Sequence, residues 1–242
     1  MNILNNLRML MIVTVIAIGT SAIANELPSF SIDMNDEEIS ARIEFIQSRF
    51  EQGKLHAQLW QYGWLAGFSA SVASRAYTVA SEGDSPERFD AAVGIFTSLS
   101  GVLSLALKPL PSSSAASKLN LMPATTADQR KTKLQYGEQL LTVSAAEAKR
   151  RRGWTIQGVF LLEQLLAGLA IGMVDDRPKD GLKTAVLGML ASEIFTFTMP
   201  TQSITDLEAY SSNAFRNNST PVASRNFFLV PYAQGIRVVY FW

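Results

Sequence analysis

The chain reads as a mainly α protein: a helical bundle of two similar three-helix units, closed by a C-terminal β-hairpin. Three observations carry that reading. Ile39, Ile43, Ile46 and Phe50 recur four, three and four residues apart, on one helical face. Long runs with almost no charge lie between polar turns marked by Pro. The same landmarks also appear twice at a nearly constant offset. Gly63 and Gly153 are 90 residues apart, Pro86 and Pro178 are 92, and Pro109 and Pro200 are 91. A fixed period of this kind points to a duplicated unit.

Residues 1–24 stand apart from the fold. Arg8 precedes the apolar run Met9–Ile18, and Ala22-Ile23-Ala24 has the small-x-small form of a cleavage site. Together they predict a secretory signal peptide. Its removal leaves 20 basic and 21 acidic residues. A chain so close to neutrality is a poor nucleic-acid binder. The chain has no cysteine. That excludes disulfides, thiolate metal sites and a cysteine nucleophile.

The first unit is expected over residues 25–111. Asn35 or Asp36 caps a charged amphipathic helix that reaches Phe50 or His56, with Glu37 and Glu38 placed well for the helix dipole. A second, apolar helix follows from Leu59 to Ala80. It opens on Gly63-Trp64 and is rich in small residues from Ser69 to Ser74. Ser85 and Pro86 start the third helix, which Lys108-Pro109-Leu110-Pro111 stops. Residues 112–125, rich in Ser, Ala and Pro, read as a linker.

Residues 126–202 repeat the plan. A charged helix runs from Asp128 to Arg152, and Gly153-Trp154 opens an apolar helix to Val174. Asp175-Asp176-Arg177-Pro178 turns the chain into another apolar helix that ends at Pro200. Residues 203–242 combine a polar segment with a hairpin. The polar part has weak helix potential from Asp206 to Phe215. The strands are Asn226–Ala233 and Ile236–Phe241 around Gln234-Gly235. The final Tyr240-Phe241-Trp242 is similar to the last strand of outer-membrane β-barrel proteins, which also end on an aromatic residue. Nothing upstream supplies further barrel strands.

Candidate site residues are few. His56 is the sole histidine, and no catalytic triad, phosphate loop or two-histidine metal motif is present. No catalytic, cofactor-binding or metal-ligating set is therefore predicted. Arg75, Glu163 and Glu193 interrupt apolar runs, and a buried Arg–Glu cluster would satisfy them. Lys149, Arg150, Arg151 and Arg152 form a basic patch for an anionic partner or lipid surface.

The expected function is that of an exported bacterial cell-envelope protein in the periplasm, non-catalytic and acting by interaction or assembly. Its partners would be an envelope protein or a membrane surface, with homo-oligomer formation through the hairpin. In this reading the apolar helices are apolar because they surround one another. One alternative is an integral membrane protein with up to four helices in two hairpins, since a run such as Thr155–Val174 is long enough for a bilayer core. Another is an enzyme using Glu163 and Glu193 as its carboxylates.

Overall fold

A computed structural model describes residues 34–83 and 85–213, and the backbone of 226–232 and 235–241. The signal-peptide reading falls on residues outside this set. In element order the chain forms α1 (Asp36–Ser81), α2 (Pro86–Leu107), α3 (Ser112–Asn120), α4 (Ala127–Arg152) and α5 (Trp154–Leu169). A π-helical turn (Ala170–Val174), α6 (Pro178–Phe197) and α7 (Gln202–Ser211) follow. The protein is mainly helical. The backbone of Asn226–Tyr232 pairs antiparallel with that of Gly235–Phe241. The side chains there, and with them the packing expected of a hairpin, lie outside the described residues.

Three sequence expectations need correction. The charged and apolar helices of the first half are one helix of 46 residues, α1. Gly53 and Gly63 lie inside it. A helical glycine costs about 1 kcal/mol against alanine, too little to break a helix held by packing on both sides. Gly153, by contrast, does break the helix. Its backbone is extended, with φ −70° and ψ 150°, and caps α5. The residues expected as a linker form α3, with Ser113, Ala115, Ala116 and Leu119 buried. The weak helix near the C-terminus begins four residues earlier than expected, at Gln202.

Two compact units emerge, and each draws on both halves of the sequence. Among the described residues, unit 1 holds 64–109 and 152–197, and unit 2 holds 34–63, 110–151 and 198–213.

Unit 2 has a conventional core. The Ile39, Ile43, Ile46 and Phe50 stripe packs with Ala115, Ala116 and Leu119 of α3, Leu134, Leu140 and Leu141 of α4, and Tyr210 of α7. Trp60 is also buried, and Gln61 Oε1 accepts from the Leu110 amide at 2.8 Å. That bond satisfies a backbone group just past the Pro109 break.

Unit 1 packs differently. Ser85 caps α2 by accepting from the Arg88 amide at 3.2 Å, with Pro86 in the first turn. Between α5 and α6 the contact is backbone on backbone. A Cβ on Gly168 would lie 2.5 Å from the Gly181 carbonyl oxygen, and one on Gly181 would lie 2.6 Å from the Gly172 amide nitrogen. Trp64, Phe68 and Phe160 gather around Phe195, with ring centroids 5.3, 5.9 and 5.7 Å from it. Arg177 joins the turn ends: it pairs with Asp90 at the start of α2, with Asp175 at 2.6 Å and with Asp180 at 3.1 Å.

Two substitutions test these packings. Leu141→Ala empties a site that is 1% exposed and should cost about 2–5 kcal/mol in chemical unfolding. Gly181→Ala should separate α5 from α6 and lower the melting temperature, whereas Gly67→Ala, with open space around it, should not.

Candidate functional site

In unit 1 the expected charge cluster does not form. Arg75 is exposed; its Nε donates to Ser71 Oγ at 3.2 Å and its Nη1 to the Asp90 carbonyl at 3.5 Å. Glu193 is exposed, four residues from the end of α6. Both groups sit toward the ends of their apolar segments, where a long side chain can reach polar surroundings. No ion pair joins Arg75 to either glutamate among the described residues. Sequence spacing placed the three on apolar helices but could not fix the helix rotation that decides which face each takes.

Glu163 alone is buried near the middle of its helix, 7% exposed. Its Oε1 lies 2.6 Å from Ser100 Oγ of α2. The same Ser100 hydroxyl lies 2.9 Å from the Thr97 carbonyl oxygen. Nearby, Ser71 of α1 and buried Ser98 of α2 share a hydrogen bond of 2.8 Å. Small hydroxyls thus line the contacts of α2 with its neighbours, where larger side chains would hold the helices apart. The serines were visible in the sequence as small residues, but nothing in it marked Ser100 as the partner of Glu163.

Unit 2 holds a charged cluster that sequence reading missed. Arg42, 9% exposed, bonds Glu38 at 2.9 Å and the Tyr210 hydroxyl at 3.1 Å, and lies 3.6 Å from Glu138. Tyr210 donates to Glu138. Burial raises the Glu138 pKa above the ordinary carboxyl value, and the Tyr210 and Arg42 contacts pull it partway back. The partners come from α1, α4 and α7, up to 168 residues apart, so no local pattern could announce them. The Arg42–Glu38 pair at i,i+4 was the one legible piece.

One carboxylate engages two of the four cations of the basic patch. Glu147 accepts from Arg150 Nη2 at 2.7 Å and from Arg151 Nε at 2.6 Å. These two bonds hold the Glu147 pKa below the ordinary value against the opposing effect of burial. Arg151 is buried, Arg150 is half-buried, and Lys149 and Arg152 are exposed. The patch therefore presents two open cations rather than four.

His56 Nε2 sits 3.3 Å from the Thr198 carbonyl oxygen. Burial lowers its pKa to about 4, and the contact with the carbonyl opposes this. Among the described residues no group of three His, Asp or Glu side chains could hold a metal ion. No family model, curated protein or solved structure matches the chain.

The low His56 value sets a pH dependence. Folded His56 stays neutral down to about pH 4, while an unfolded histidine takes its proton near pH 6.5. Above that value neither state is charged and His56 contributes nothing. Between pH 6.5 and 4 the unfolded state binds the extra proton, so stability falls as pH falls. The loss should reach about 2 kcal/mol at pH 5. His56→Gln should flatten the dependence of melting temperature between pH 7 and 5; an unchanged slope would show that another group sets it.

Proposed function

We propose that the chain is an integral membrane protein of the cell envelope, held in the bilayer by the helices of unit 1 as two hairpins. It acts by interaction or assembly rather than by catalysis. One observation carries this reading: the apolar helices are not covered. The stretches Pro86–Asn120, Trp154–Val174 and Pro178–Ser211 are long and apolar enough to cross a membrane. Only 39, 22 and 28% of their most apolar windows are buried. Leu99, Leu103, Leu162, Leu165, Leu182, Val186, Leu187 and Leu190 are all exposed. A water-soluble bundle with apolar helices at its centre would bury these side chains. A bilayer leaves them where they are.

The remaining charges support the same reading. Charged residues in a span are expensive near its centre and tolerated near its ends. Arg75 lies in the later part of residues 64–81 and Glu193 four residues from the end of α6, so among the described residues Glu163 is the acid nearest the middle of an apolar helix, and it faces Ser100 rather than lipid. Trp154 is 86% exposed at the start of α5, a position that suits a membrane interface and wastes apolar surface in water. Residues 64–81 of α1 are the weakest span. Once α2 crosses, the short link between Ser81 and Pro86 requires them to return alongside it, and Phe68 packs over Gly101 of α2.

Cell-envelope placement follows from the leader-like residues 1–24, and assembly through the C-terminal residues from their apolar composition. The leader reading and the positive-inside rule give opposite orientations for the end bearing Lys108 and Arg152, and labelling from each side decides between them. A chain without cysteine offers a clean test. Single variants Leu165→Cys and Leu187→Cys should resist a membrane-impermeant maleimide in intact vesicles and react after detergent. Glu82→Cys and Lys179→Cys should react from one side of the membrane, and Lys108→Cys from the other. The protein should also stay in membranes washed with alkaline carbonate. Rapid labelling of Leu165→Cys in intact vesicles, with release by carbonate, would leave the soluble envelope protein as the correct reading.

A further inference from the structure

We propose that Glu163 carries a proton, so that Glu163 and Ser100 form a proton-binding site inside the apolar bundle of unit 1. The contacts of the Ser100 hydroxyl outnumber its hydrogens. Ser100 has one hydroxyl hydrogen, and its oxygen makes two short contacts, at 2.9 Å to the Thr97 carbonyl and at 2.6 Å to Glu163 Oε1. The carbonyl brings no hydrogen and can only accept, as an ionised carboxylate would, so the one Ser100 hydrogen cannot serve both contacts. The contact with Glu163 then needs a second hydrogen, and the carboxyl group is its source. A protonated Glu163 donates to Ser100 Oγ, and Ser100 donates to Thr97. An ionised Glu163 would leave the two acceptors competing for one hydrogen.

Charge balance agrees with the count. Glu163 is 7% exposed, and an ionised carboxylate at that burial requires a cation. The charged groups on the elements packed against α5 are engaged elsewhere or exposed. On α1, Arg75 binds Ser71 and the Asp90 carbonyl. On α2, Asp90 binds Arg177, while Glu87 and Arg88 are exposed. On α6, Asp180 binds Arg177, while Lys179, Lys183 and Glu193 are exposed. None of them forms an ion pair with Glu163. Neutralisation by a proton removes the need for one. The site then has a ligand, the proton, and a chain of two hydrogen bonds on which that proton is held or released. It rests on the geometry of unit 1 alone and holds whether or not the unit lies in a bilayer.

Infrared spectroscopy of the full chain in detergent micelles reads the proton directly. At neutral pH, the wild-type spectrum minus that of Glu163→Gln should show the C=O stretch of a protonated carboxyl group, moved to lower wavenumber in heavy water. The band should be lost at alkaline pH, giving way to carboxylate stretches. Ser100→Ala removes the acceptor and should shift the band to higher wavenumber without abolishing it. If the neutral-pH difference shows carboxylate stretches only, Glu163 is ionised and the proposal is wrong. Should Glu163→Gln fail to fold, Ser100→Ala decides alone: a shifted carboxyl band supports the site, and an unchanged carboxyl region overturns it. None of these readings depends on carbonate extraction or maleimide labelling, so the two proposals fail separately.

Discussion

Gly168 and Gly181 bring α5 and α6 into backbone contact, yet the leucines on either side of that contact stay exposed. This combination constrains everything else in unit 1. Close approach through small residues maximises dispersion contacts between helix backbones but covers little side-chain area. In water that exchange is poor, because the main driving force is removal of apolar surface from solvent. In hydrocarbon the leucines lose nothing by staying outside, and backbone proximity becomes a principal source of cohesion. The hydroxyls of Ser71, Ser98 and Ser100 fit the same logic, since they allow short helix separations and hydrogen-bond within the bundle.

Unit 2 obeys the opposite rule. Its apolar stripe is enclosed, and its buried charges are paired through Arg42, Glu138 and Tyr210. One chain therefore carries two kinds of interior: one built for exclusion of water, the other with its apolar side chains turned outward. The join falls within α1, whose residues up to Gly63 belong to unit 2 and from Trp64 to unit 1.

Much of this was legible in the sequence. The Ile39 to Phe50 stripe, the Ser85-Pro86 start and the Pro178 start declare themselves through local chemistry, because periodicity and capping act within a few residues. What escaped was set by distance or by rotation. Helix α3 was hidden because Ser and Ala resemble a linker in composition, and it is held by burial of Leu119 and Ala115 rather than by propensity. Gly63 and Gly153 look alike in sequence, yet one stays helical and the other caps a new helix. Neighbouring packing, not the residue, decides between them. Arg75 and the two glutamates were assigned to one cluster because each interrupts an apolar run. The rotation of each helix, which no single run encodes, sends them to different places.

The π-helical turn Ala170–Val174 bears on chain length. A π turn closes its hydrogen bond one residue later than an α turn, so it stores an extra residue without a matching gain in helix length. The second hairpin needs such storage. Twenty-five residues separate Gly153 from Pro178, against 23 between Gly63 and Pro86. The widened turn takes up slack just before Asp175, and the Arg177 amide then reaches back to the Ile171 carbonyl at 3.4 Å. The reversal keeps its place, and Arg177 still meets Asp90. One of the two surplus residues is thus lodged in a local change of helical pitch.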